Sequence, residues 1–139
     1  MSDFDSAAVA IVTLFDAGMQ TAHPTVTRIY DNQQRVTPPS PSASWIRFSI
    51  VNGGAYLPEI GSRMADELGR AIAQIFVPIG TGDALARQIA NSVRNVLQGV
   101  TVSGVHLYAT EVVPVSQEPG SAWRQINAST RFRFESTPV

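Results

Sequence analysis

The chain has no cysteine and no lysine among its 139 residues. Without thiols there is neither a disulfide framework nor a thiolate metal site, and nothing follows about redox compartment. Charge is sparse as well: charged residues make up 15% of the chain and the net charge is −1. That balance lacks the basic excess by which proteins hold nucleic acid through its phosphates, so DNA is not expected as a main ligand. No apolar run approaches the roughly 20 residues of a membrane helix, and the opening MSDFDS is acidic where a secretory leader would be basic. A soluble protein made in the cytoplasm is the expectation. Histidine is nearly absent too. His23 and His106 have no second His at helical spacing, no HExxH surrounds them, and both read as structural. Serine and aspartate are plentiful, but a catalytic triad needs a base oriented by a third group, and no such pattern is visible. Enzyme activity is therefore not expected.

One glycine turn invites a phosphate-binding reading. In IFVPIGTGDALARQIA, residues 75 to 90, an apolar strand runs through Gly80 and Gly82 into a helix. A Walker loop would follow its glycines with a Lys for the phosphate oxygens and a Ser or Thr for Mg²⁺. Asp83, Ala84 and Leu85 stand there instead, and an acidic side chain repels phosphate. The turn is expected only to reverse the chain, with Asp83 as helix cap and no nucleotide or other cofactor bound.

What is present is a pattern of alternating elements. Phe4, Ala8, Ile11, Phe15 and Met19 recur at steps of four and three, which predicts a helix from Asp3 to Thr21 that His23-Pro24 ends. Ser2 or Asp3 is its cap. Thr25 to Tyr30 reads as a short strand, and the proline-rich segment after it as a loop. WIRFSIV, residues 45 to 51, alternates, with Ile46, Phe48 and Ile50 opposite Trp45, Arg47 and Ser49. Asn52-Gly53-Gly54 reads as a turn and the stretch to Gly69 as an extended excursion, with Asp66 and Glu67 on solvated surface. Arg70 to Val77 reads as a strand that Pro78 stops. Asp83 to Gln98 reads as a helix with Leu85, Ile89, Val93, Val96 and Leu97 on its apolar stripe and Gly99 at its left-handed end. Two further strands, Val105 to Val113 and Trp123 to Glu135, complete the order α-β-β-β-α-β-β. This predicts one α+β domain over residues 1–139: a two-layer sandwich with a mostly antiparallel sheet of about four to five strands covered by two helices.

Three polar loops, residues 31 to 44, 52 to 66 and 114 to 122, are long for a compact domain and read as contact arms. They supply Arg35, Tyr56, Glu59, Arg63, Gln117 and Glu118 as candidate contacts with neighbouring subunits or other proteins. Arg131 and Arg133, two apart on the last strand, share one face and join them, since Arg suits large interfaces.

The run GRAIAQIFVPIGTGDALARQIANSVRNVLQGV, followed by a strand, a polar turn and the closing WRQINASTRFRF, resembles the tail terminator proteins of long-tailed bacteriophages. The likeness spans the first helix through Phe134 and rests on order, spacing and residues such as Gly69, Pro78, Gly80, Gly82 and Trp123. It implies a structural virion protein without catalytic residues, cofactor or metal, and without membrane association. Six copies would form a ring on the last tail tube subunits, stop polymerisation and offer a surface to the head–tail connector or stopper protein. DNA would pass only through the ring lumen. A head–tail joining protein of the same neck is the nearest alternative, and a small ligand-binding or enzymatic domain using the Gly80 to Asp83 turn a more distant one.

Overall fold

The structure, a computed structural model, describes residues 3–31, 43–57, 60–61, 63–80, 83–116 and 120–136. Helix α1 spans Phe4–Ala22, and the Asp3 side chain caps it by accepting from the Ser6 amide at 2.7 Å. Its buried stripe is Ala7, Ile11, Phe15 and Met19, so Ala7 takes the place expected of Ala8. The reason is geometric: unbroken steps of four from position 7 drift by only about 40° per turn, keeping all four on one side. At the other end the His23 ring hydrogen-bonds the Ser92 hydroxyl of the second helix at 2.9 Å.

Strands β1 (Thr27–Tyr30), β2 (Trp45–Tyr56) and β3 (Ala65–Pro78) follow, then helix α2 (Ala84–Leu97). The chain continues into β4 (Thr101–Val102), β5 (Val105–Pro114) and β6 (Trp123–Ser136). The six strands form one sheet in the order β1-β2-β3-β6-β5-β4. Only β1 and β2 pair in parallel. The sheet is therefore mixed, larger than the four to five strands expected, and curled into a half-barrel instead of lying flat. The strand missed is β4, whose two residues are too few to show a period.

Both helices lie on one face of the sheet. There Phe15 stacks on Phe48 with ring centroids 3.9 Å apart, and Phe4 lies 6.4 Å from Phe134. Ala71, Ala73, Ile75 and Val77 give β3 a small-residue inner face, against which the buried Ala86, Ile89, Ala90, Val93 and Leu97 of α2 complete the core. Each larger aliphatic chain so buried contributes about 1.5–3 kcal/mol. Gly99 ends α2 at φ 72, in the left-handed region its position requires.

One expectation about α2 is corrected. Asp83 makes no side-chain capping bond; its carboxylate is instead 3.2 Å from Arg124 on β6. That pairing ties the helix start to the sheet. Arg94 and Gln98 reach a register shift in β5 between Leu107 and Thr110. Arg94 donates to the Thr110 carbonyl at 3.1 Å, and the Gln98 side-chain oxygen accepts from the Thr110 amide at 3.0 Å. The two side chains replace partners that an interrupted ladder withholds.

The expected turn at Asn52-Gly53-Gly54 and the excursion after it are corrected as well. The strand continues to Tyr56 through a bulge between Asn52 and Gly54, and β3 already begins at Ala65. Gly69 sits opposite Asn52 and Phe132 in the middle of this arrangement. A Cβ there would lie 2.4 Å from the Phe132 ring and 2.6 Å from the Val51 carbonyl oxygen.

Candidate functional site: the open face of the sheet

Strand alternation that sends one set of residues to the helices sends the other set outward. On this second face β3 contributes Asp66, Leu68, Arg70, Ile72, Gln74 and Phe76, with Arg131 and Arg133 beside them on β6. No described helix covers it. At one end Trp45 stacks on Phe76 at 4.0 Å, and Trp123 meets Trp45 edge-on at 5.8 Å. The indole of Trp123 donates to the Ala43 carbonyl at 3.3 Å.

The opposite end holds a buried carboxylate. Asp66, only 6% exposed, accepts from Arg133 at 3.0 Å, and Arg133 also reaches Glu135 at 3.4 Å. This corrects the expectation that Asp66 and Glu67 are solvated surface. Glu67 is half-buried and accepts from Ser136 at 3.1 Å. The Tyr56 hydroxyl shares Asp66, and that hydrogen bond raises the Tyr56 pKa above its ordinary value. Asp66 likewise lifts the Arg133 pKa, holding the guanidinium charged.

Between these ends lies a groove of about 680 Å³, with Val51, Leu68, Arg70, Tyr108, Glu111 and Arg131 in its lining. Arg70 and Arg131 are direct cross-strand partners, a like-charge arrangement that destabilises the bare face. Arg70 has a weak bond to the Ser129 hydroxyl at 3.4 Å. Arg131 is exposed and forms no hydrogen bond or ion pair with the described residues. The face thus offers apolar surface beside two arginines and one carboxylate, with Arg131 left unpaired among the described residues.

Of the candidate contacts, Arg35, Glu59, Gln117 and Glu118 lie outside the described residues, as does Gly82 of the glycine turn. The structure brings Tyr56 and Arg133 together through Asp66, and sets Arg131 on the same face. Arg63 is exposed in the β2–β3 connection, apart from them. Sequence reasoning missed Asp66, Arg70 and Tyr108. For the first two a signal existed, because the alternation of Arg70 to Phe76 extends backward through Leu68 to Asp66. Among the described residues no group of three or more His, Asp or Glu is gathered to hold a metal ion, and no helix is long and apolar enough to cross a membrane. His106 meets the Thr101 hydroxyl at 3.2 Å across the β4–β5 turn.

No protein-family profile matches the chain, and no curated protein matches it in sequence. Solved structures do share its fold. One, of a protein designated only by a sequence label, superposes with a TM-score of 0.69 at 15% identity and covers 100% of both chains. Another is a chain from the virion of a native gene transfer agent particle, with a TM-score of 0.58 at 16% identity over 92% of this chain and 93% of that one. At these identities the likeness establishes the α+β fold along nearly the whole chain.

Proposed function

We infer that this chain is a structural subunit of a phage-like particle, with a tail-terminator-like role at the end of a tail tube. The observation that carries this reading is the end-to-end fold likeness to a chain of a gene transfer agent virion. It agrees with the resemblance drawn independently from the glycine turn, the amphipathic second helix and the closing strand. The open sheet face, apolar and arginine-bearing, suits a protein that acts by contact and not by catalysis.

In this role the chain assembles as a ring of six, about 90 kDa from subunits of 14.9 kDa, on the last tube subunits. It blocks further polymerisation and presents its outer surface to a connector or stopper protein. DNA crosses only the lumen, in keeping with a net charge of −1. The second reading, a head–tail joining protein, draws on the same fold and face. Electron microscopy of particles lacking this protein separates the two. Termination predicts overlong tails that fail to join heads. Unattached tails of normal length would favour joining, and normal tails correctly attached to heads would refute both.

A further inference from the structure

We propose that the Arg70–Arg131 groove on the open sheet face is the seat of helix α1 from a second copy of this chain. The proposal deepens the assembly reading and rests on it. On α1 the stripe opposite the core carries Asp5, Val9 and Thr13 at successive turns, and the helix contains no basic residue. Val9 is 58% exposed, and Asp5 has no ion-pair partner among the described residues. The groove is the complement of this stripe. Val51, Leu68 and Tyr108 are exposed apolar surface to receive Val9, and Arg131 is an unpaired cation to receive Asp5.

Charge decides the orientation. Glu111, in the same lining, forms no ion pair with the described residues, so a carboxylate placed between the two facing arginines still removes their like-charge repulsion, whereas the mirror pairing of sheet face on sheet face would bring four arginines together. The stripe and the groove lie on different sides of the subunit, so the contact is heterologous: each copy gives its helix to one neighbour and its groove to the other. Such a contact closes into a ring when the rotation per step divides a full turn. A stable interface takes about 800 Å² from each partner, roughly a tenth of the 7995 Å² of this subunit's surface.

The natural absence of cysteine makes the test clean. Val9→Cys and Leu68→Cys together, at two exposed sites, should give on oxidation a disulfide-linked ladder of assemblies by native mass spectrometry, while each single variant stops at a dimer. Asp5→Arg or Arg131→Glu alone should weaken assembly about tenfold or more, and the two combined should restore it. Circular dichroism on each variant separates these effects from loss of fold. Assemblies that form without the ladder, or that both reversals leave unchanged, would overturn this docking while the tail reading stands. A chain that stays monomeric at every concentration, and in the presence of tube ends, would overturn the docking and the ring together.

Discussion

Replacing Gly69 by alanine tests the account of the sheet at its tightest point. The added methyl would sit 2.4 Å from the Phe132 ring and 2.6 Å from the Val51 carbonyl oxygen, against an ordinary carbon contact of about 3.5 Å or more. Neither neighbour has room to yield. Phe132 is 1% exposed and packed beside Phe134, and the oxygen belongs to the backbone of β2. Overpacking of this kind costs about 1–3 kcal/mol, with the upper end apt where backbone must move. The loss of glycine's freedom in the unfolded chain offsets about 0.4–1 kcal/mol of that. A net loss of about 2–2.6 kcal/mol remains at that upper end. For 139 residues the unfolding entropy is about 0.3 kcal/mol/K, so the melting temperature should fall by about 7–9 °C. Gly53→Ala, in the neighbouring bulge, is the matched control: its nearest contact is an ordinary 3.4 Å, and its melting point should move by under about 2 °C. Thermal unfolding followed by circular dichroism reads both. Equal melting points for the two variants would show that the strands are not held as described.

Two further perturbations probe side-chain hydrogen bonds. Thr110 and Thr130 share a hydrogen bond of 2.7 Å in the core, so Thr130→Val should cost about 1–3 kcal/mol by stranding the Thr110 hydroxyl, and the double valine variant should recover most of it in urea denaturation. Asp16 accepts from the Tyr30 hydroxyl and, at 2.9 Å, from Arg28; these bonds, Tyr30 foremost, hold its carboxyl below the usual range. A depressed folded pKa gives stability that is present above the unfolded value near 3.9 and lost as pH falls through the folded one. Asp16 is half-exposed, so Asp16→Asn should cost only about 1 kcal/mol at pH 7, and the gap to the unmodified protein should shrink below about pH 4. A gap constant from pH 7 to pH 2 would refute that assignment.

The parts of this fold that were legible in sequence are those whose signal is local and periodic. WIRFSIV, the Arg70 to Val77 run and the closing strand each announce one buried face, and both helices show their stripes. Asn52-Gly53-Gly54 misleads because the same residues serve a turn and a bulge, and only the pairing of Gly54 with Leu68 distinguishes them. The parallel pairing of β1 with β2 and the two-residue β4 carry no period of their own. Asp66 reads as solvated because its partner Arg133 stands 67 residues away. That pairing also changes which arginine probes the surface. Reversing Arg133 strands a buried carboxylate, so only Arg131 reports on contacts without disturbing the fold.

The strand order has a consequence for synthesis. Strand β6 lies between β3 and β5, yet of the six described strands it is the last to leave the ribosome. Until it does, β3 presents a fourteen-residue open edge, and α2 has only part of the surface it covers. A prematurely terminated chain would keep that edge, the kind of unpaired strand that recruits other chains indiscriminately. It would also lack Arg131. Insertion of β6 seals the edge and builds the groove in one event, so the capacity to receive a neighbour's helix arrives only with the finished fold. Truncated products thereby lack the receiving half of any contact that uses this face.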